Sequence, residues 1–152
     1  YVLPPGTGHS HSINGLGRHD FGQLHFDVAL AALGLLVAHL VADFLFQTDS
    51  MAKHKGQDWR WMFRHVGLYM TAMSVVLILY ALLNPIPAVL VVAALLFLLV
   101  THLSLDRRGF VHWWMRLVGI SNDKLWISVV IDQVFHILTL AIVAQVLVLA
   151  VR

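Results

Sequence analysis

The chain has 152 residues, of which 59% are hydrophobic and 12% are charged, and its formal net charge is +2. A soluble domain carries about 25% charged residues, so this composition excludes a disordered chain and argues against a soluble globule. Its ten Lys and Arg residues are too few for a nucleic-acid groove, and no nucleic-acid partner is expected. The mean hydropathy of +0.79 predicts a polytopic membrane protein in contact with the lipid bilayer.

Residues 1–27 are rich in Gly and His and predict an extended or partly ordered tail. The first 24 residues contain no apolar run of the length that a signal peptide needs. His9 and His11 could bind a stray metal ion, but a solvated polar segment is the simpler interpretation.

Four apolar segments follow the tail, and each is long enough to cross a bilayer. A helix rises about 1.5 Å per residue, so about 20 residues cross the hydrocarbon core. Strands are excluded because the sequence shows no ten-residue alternation of apolar and polar residues. We therefore predict an all-α fold, an integral membrane bundle of four transmembrane helices. The predicted spans lie at about 28–47, 62–83, 86–105 and 125–150.

The connections between the spans also carry structural signals. The sequence Asn-Pro-Ile-Pro at 84–87 predicts a tight hairpin between the second and third helices. Residues 107–120 mix basic and aromatic side chains after the third helix. This composition predicts a short helix that lies in the cytoplasmic interface.

The positions of Lys and Arg predict the orientation of the bundle. Eight of the ten lie in the connections 48–65 and 106–124, whereas only Arg18 and Arg152 lie on the other side. By the positive-inside rule, both connections are cytoplasmic and both termini, with the 1–27 tail, are non-cytoplasmic. Tryptophans in or beside the same connections are predicted to anchor the protein at the headgroup layer. They are Trp59, Trp61, Trp113, Trp114 and Trp126.

Ionisable residues inside the predicted spans carry the main functional signal. His39, Asp43 and Gln47 are spaced i, i+4, i+8 and are expected to form one stripe on the first helix. In the first and third helices such residues lie near the C-terminal end, and in the second and fourth they lie near the N-terminal end. Because successive helices cross the membrane in opposite directions, all of these residues are expected to converge in the cytoplasmic leaflet. The other members are His65, which opens the second helix, and the i, i+4 pairs His102 with Asp106 and Asp132 with His136.

An aspartate near the membrane centre costs about 2.5–3.5 kcal/mol on insertion scales, so these groups must face each other, a cavity or an ion. In the first of three interpretations, His–Asp hydrogen bonds hold the bundle together and bind nothing. In the second, imidazole and carboxylate groups bind Zn, Fe or Mn and activate water for hydrolysis. In the third, titrating groups form a proton or ion path, which the apolar outer leaflet argues against.

The absence of cysteine restricts a metal site to nitrogen and oxygen ligands. A haem or pigment on these histidines fits less well, because most of them have an aspartate one turn away. The candidate metal ligands are His39, Asp43, His65, His102, Asp106, Asp132 and His136, and the candidate supporting polar groups are Gln47, Asp49 and Gln133.

The segment HLVADFLFQTDSMAKHK, residues 39–55, resembles the main motif of a bacterial membrane-protein family, domain of unknown function 3307. Members of that family resemble the pattern His-Leu-x-x-Asp-Phe-x-x-Gln-Thr-Asp-x-Met-Ala-x-x-Lys. Ser50 stands at a variable position of this pattern where an aromatic residue is common in the family. The resemblance covers roughly residues 28–150 and implies that the His, Asp and Gln residues above belong together, but it implies no activity.

The sequence is compatible with two functions of different classes. We favour an accessory or structural subunit of a larger membrane complex, such as an energy-transducing or photosynthetic one, with other membrane subunits as partners. The alternative is a metal-dependent membrane hydrolase that uses the polar residues as its site. In both cases we expect a multi-pass protein of a bacterial inner or intracytoplasmic membrane.

Overall fold

The computed structural model describes residues 16–121 and 123–151, and for residues 16–21 it describes the backbone alone. Every regular element in these two ranges is helical, and the predicted all-α fold is confirmed. The predicted tail falls outside the described residues as far as residue 15. The helices are α1 (Leu16–Leu40), which continues into a π-helical turn (Val41–Leu45), α2 (Asp49–His54), α3 (Trp59–Leu83), α4 (Ala88–Asp106), α5 (Gly109–Leu117) and α6 (Leu125–Ala150).

Four of these helical segments are long and apolar enough to cross a membrane, which fits a multi-pass membrane protein. Their most apolar windows have mean hydropathies from 2.1 to 2.6. The segments are Gly22–Leu45, Trp59–Leu83, Ala88–Asp106 and Leu125–Ala150.

The first helix begins earlier than the composition of the tail predicts. α1 starts at Leu16, inside the segment expected to be extended. Two features favour helix there: Gln23 donates a hydrogen bond to Asp27 one turn later, and Leu24 and Val28 pack against the core. Tertiary packing thus outweighs the local Gly and His content.

The four long helices form a closed ring in which each one packs against two neighbours, in the order α1, α3, α4, α6 and back to α1. Small side chains on α1 and α6, among them Ala31, Ala38 and Ala144, are buried in one core cluster and leave room for helices to approach closely. The largest apolar side chains of the centre are fully buried: Leu35, Tyr69, Met73, Leu77, Leu98, Leu140 and Leu147.

One end of the ring, which we call the loop end, carries the connections 46–58 and 107–124. There Thr48 caps α2 by accepting a hydrogen bond from the Met51 N–H, and Asp58 caps α3 by accepting one from the Arg60 N–H. The predicted short helix after the third span is confirmed as α5. Its buried residues Val111 and Met115 fix it against α6.

Candidate metal centre

A π-helical turn at the end of α1 determines where Asp43 points. Residues Val41–Leu45 form this turn, and the chain leaves helical geometry after it, before Gln47. The expected stripe on the first helix is therefore wrong for Gln47, whereas His39 Nδ1 and Asp43 Oδ2 lie 3.8 Å apart as an i, i+4 pair. A π turn inserts a residue into a helix and is frequent at functional sites. Here it buries Asp43 among the other helices.

The predicted convergence of His and Asp side chains is confirmed at the loop end. Each long helix supplies at least one member of what we call the His/Asp cluster. The three histidines of α1, α3 and α4 are fully buried, and Asp43, Asp106 and His136 are each 2% exposed. The cluster consists of His39, Asp43, His65, His102, Asp106, Asp132 and His136.

Four atoms of the cluster that could bind a metal are grouped around the His65–His102 pair: Nε2 of His65, Nε2 of His102, Oδ1 of Asp43 and Oδ2 of Asp106. The two nitrogens are 3.1 Å apart. His65 Nε2 lies 3.4 Å from the Asp43 oxygen and 2.9 Å from the Asp106 oxygen. His102 Nε2 lies 3.9 Å and 3.2 Å from the same two oxygens. We call these four atoms the inner site.

A hydrogen-bond relay fixes the proton on His102. The backbone carbonyl of Asp132 can only accept, so the His136 Nδ1 that lies 2.9 Å from it donates. In a neutral ring the other nitrogen of His136 then accepts, and it lies 2.9 Å from His102 Nδ1. His102 therefore carries its proton on Nδ1 and turns the Nε2 lone pair toward the inner site.

Lys55 fixes the proton on His65 in the same way. Its ammonium group can only donate, and Nζ lies 3.0 Å from His65 Nε2 and 2.9 Å from Asp106 Oδ1. His65 Nε2 is then an acceptor too. With both rings protonated on Nδ1, the two Nε2 atoms, which lie 3.1 Å apart, share no proton with each other, and the donor at His65 Nε2 is the Lys55 ammonium.

The two carboxylate oxygens of the inner site also lack donors. Asp43 Oδ1 and Asp106 Oδ2 are buried and accept no hydrogen bond with acceptable geometry from the described residues. His65 Nε2 lies 2.9 Å from Asp106 Oδ2, but a nitrogen that accepts from the Lys55 ammonium has no proton to donate to this oxygen. Buried acceptors without donors are costly, so their convergence requires an explanation.

The spacing of the inner site matches the coordination shell of a small metal ion. Ligands about 2.0–2.2 Å from a tetrahedral ion are about 3.3–3.6 Å from one another. The distances between nitrogens and oxygens run from 2.9 to 3.9 Å around that value. Two imidazoles and two carboxylates suit Zn, Fe or Mn. The His/Asp cluster contains further sets of three groups with ligand atoms within 4.8 Å of one another, and these include His39 and His136.

The rest of the cluster supports these four groups. The Asp132 carboxylate accepts from the Gln133 amide at 3.3 Å, and this orients the Gln133 Oε1 to accept from His39 Nε2 at 3.0 Å. His39 Nδ1 then faces Asp43 Oδ2 at 3.8 Å. The Tyr69 ring stacks on His102 with centroids 3.6 Å apart and holds the plane of that imidazole.

A polar cavity of about 150 Å³ opens beside the inner site. Asp43, Asp106 and Lys55 line it, so a small molecule in the cavity can reach these three groups. Asp132 contributes to the wall as well, and its Oδ1 has no hydrogen-bond partner among the described residues. Gln47 also lines the cavity, in spite of lying beyond the helix.

The structure does not join Asp49 to this site. It is exposed in the first turn of α2, and no hydrogen bond or ion pair of the described residues links it to the cluster.

The predicted anchor tryptophans lie around the loop end, at the start of α3, on α5 and at the start of α6. Trp126, Trp59 and Trp113 are exposed, at 69%, 51% and 49%. Trp61 and Trp114 are half-buried.

Sequence reasoning missed the part that Lys55 plays. We counted it only as a basic loop residue that indicates orientation, yet it is buried and bonded to two cluster members. A signal was present, because Lys55 is the last residue of the motif that begins at His39. The motif also contains the cluster residues His39 and Asp43, so a lysine in it is a candidate for the same site.

Comparison with known proteins gives one match. The family model described as "Protein of unknown function (DUF3307)" matches residues 32–152. The match covers most of the chain, so the chain belongs to this family, as the resemblance predicted. No curated protein and no solved structure matches the chain.

Proposed function

We propose that this family member is a metal-dependent membrane hydrolase whose ion is held by His65, His102, Asp43 and Asp106. One observation carries the proposal: two imidazole nitrogens and two carboxylate oxygens are grouped in a buried space, and both oxygens lack a hydrogen-bond donor among the described residues. A divalent cation is the ligand that this arrangement of acceptors fits.

The charge of the site favours the same conclusion. With neutral imidazoles, Asp43 and Asp106 bring two negative charges, and Lys55 offsets one of them. A net negative charge buried at membrane depth is costly. A divalent ion would make the net charge of these groups positive and would also coordinate the two carboxylate oxygens that lack hydrogen-bond donors.

The cavity gives the site a route to a substrate, which a purely structural ion would not need. An ion at the inner site would supply Lewis-acid polarisation of a water or substrate oxygen. Asp132, with a free carboxylate oxygen on the cavity wall, is placed to accept the proton of that water. Lys55 is placed to face the negative charge that develops on the substrate.

The accessory-subunit role that we favoured from sequence remains a prediction. Its main support is the apolar outer wall of the bundle, with exposed residues such as Leu82, Leu83 and Val89. Lipid contact explains that wall equally well, so the wall does not favour a partner subunit over a bilayer. The two roles are also compatible in one protein.

Turnover of chromogenic esters by the Asp132→Asn variant tests the proposed chemistry. We expect the detergent-purified protein to hydrolyse at least one of p-nitrophenyl phosphate, bis-p-nitrophenyl phosphate and p-nitrophenyl butyrate. Chelation should stop the reaction and added metal should restore it. Asp132→Asn should lower kcat by about 10²–10⁴-fold and keep the metal, since Asp132 is a proton acceptor here and not a ligand.

Asp123→Asn is the matched control, because Asp123 is an exposed aspartate just before the same helix. It should leave kcat unchanged. Equal turnover in both variants, or hydrolysis that persists fully in chelator, would refute the proposed role of the site.

A further inference from the structure

We infer that the cavity beside the inner site binds the phosphate group of a phosphorylated substrate, through Arg108 and Lys55. This inference names the substrate class of the proposed hydrolase, and it rests on that proposal for its reaction and for the ion that balances Asp43 and Asp106. Both residues line the cavity, next to Asp106 and Asp132. A phosphate group is small enough to enter a space of about 150 Å³.

Arg108 is held at the cavity by an unusual backbone conformation. Its φ is 58° and its ψ is −3°, and among the described residues no other non-glycine residue has a positive φ. This left-handed conformation is unfavourable for a side chain with a Cβ. It occurs at the tight turn between α4 and α5, where the Arg108 N–H bonds to the Leu105 carbonyl. A glycine would adopt this backbone conformation without strain, so the presence of arginine indicates that its guanidinium group is required at this position.

The charges of the cavity wall favour an anion once the inner site holds its ion. Asp43 and Asp106 are then balanced by the divalent cation. Of the remaining wall residues, Lys55 and Arg108 are cationic and Asp132 is anionic, which leaves a net positive surface. No ion pair among the described residues involves Arg108, whereas Lys55 pairs with Asp106. Arg108 is thus a cation available for a ligand, and guanidinium groups bind phosphate in a bidentate manner.

The phosphate could come from free solute or from a lipid headgroup. Val129 lines both this cavity and a wider open groove along the first turns of α6. Asp123 and Lys124 line one part of that groove, and Leu125, Trp126 and Val130 give it an apolar wall beside which the chain of an amphiphile could lie. The shared chemistry is the phosphate group, and an experiment can separate the two sources.

The test measures phosphate binding by Arg108→Gly and Arg108→Gln proteins. Inorganic phosphate is titrated calorimetrically into metal-loaded protein in a neutral detergent. Thermal unfolding is measured in nanodiscs of phosphatidylcholine alone and with added phosphatidic acid. Both variants should bind phosphate at least about tenfold more weakly than wild type. Arg108→Gly should unfold at an equal or higher temperature than wild type without phosphate, because glycine accepts the positive φ.

Arg116→Gln is the control, since Arg116 is an exposed arginine on α5 outside the cavity wall. Arg108-dependent binding of inorganic phosphate supports a free solute as the source. An Arg108-dependent increase in unfolding temperature with phosphatidic acid, without binding of inorganic phosphate, supports a lipid. If neither response depends on Arg108 more than on Arg116, the inference is overturned.

Metal content is measured in the same samples, so that the two proposals fail separately. Arg108 variants that keep the ion and lose phosphate binding support both. If wild-type protein contains no metal and binds none, yet binds phosphate through Arg108, the hydrolase proposal fails and the phosphate site stands.

Discussion

Replacing His102 with alanine is expected to lower metal affinity by more than about a hundredfold. Loss of a group that only orients a ligand already costs about 10–100-fold, and His102 is itself a ligand in this account. Its Nε2 lies within 3.1–3.9 Å of the other three atoms of the inner site, so its loss removes a ligand that is close to all of them. Competition between the protein and a chromophoric chelator for Zn²⁺ gives the affinity directly.

His54→Ala is the control for this variant, because His54 is exposed on α2 and bonds locally to the Ser50 carbonyl. It should bind metal as wild type does. If His102→Ala does not fold, His65→Ala removes the second inner-site imidazole and should give the same loss. Wild-type affinity in either folded variant would exclude the inner site as the metal centre.

Replacing Lys55 with methionine is expected to destabilise the metal-free protein by about 3–5 kcal/mol. Lys55 is the buried counter-ion of Asp106, at 2.9 Å, and removing one partner of such a pair leaves an uncompensated buried charge. Bound metal should recover a large part of the loss, since it would neutralise the same carboxylate. Unfolding in a denaturing-detergent titration, with chelator and with Zn²⁺, measures both values.

Lys53→Met provides the comparison, since Lys53 is an exposed lysine two residues earlier. Its effect should stay within about 0.5 kcal/mol. A small effect of Lys55→Met in the metal-free state, or an equal loss with and without Zn²⁺, would show that Lys55 and the ion do not serve the same carboxylate.

The long helices and the convergence of their polar residues could be predicted from the sequence. Each depends on simple quantities: a run of about 20 apolar residues, and the depth at which a residue lies along a helix that must cross the bilayer. His65 and His102 are far apart in the chain, yet alternating helix direction alone was enough to place them together. The hydrophobic pattern could not give the ring order of the helices.

Other parts of the site depend on local backbone geometry that the sequence does not reveal. The π-helical turn at Val41–Leu45 changes the direction of Asp43, and a regular i, i+4 count cannot anticipate it. Lys55 was missed because charge counting treats every loop lysine as solvated. Asp49 was included because it shares the motif, but it is exposed in the structure. A shared motif groups residues without showing which of them touch.

The metal content and coordination shell of the wild-type protein test the central claim most directly. The protein should be purified in a mild detergent without chelator and analysed by elemental mass spectrometry and X-ray absorption spectroscopy. We expect about one Zn, Fe or Mn per chain, with nitrogen and oxygen ligands at about 2.0–2.2 Å and scattering from two imidazole rings. A protein that stays metal-free after incubation with these ions, or a shell without imidazole, would contradict the account.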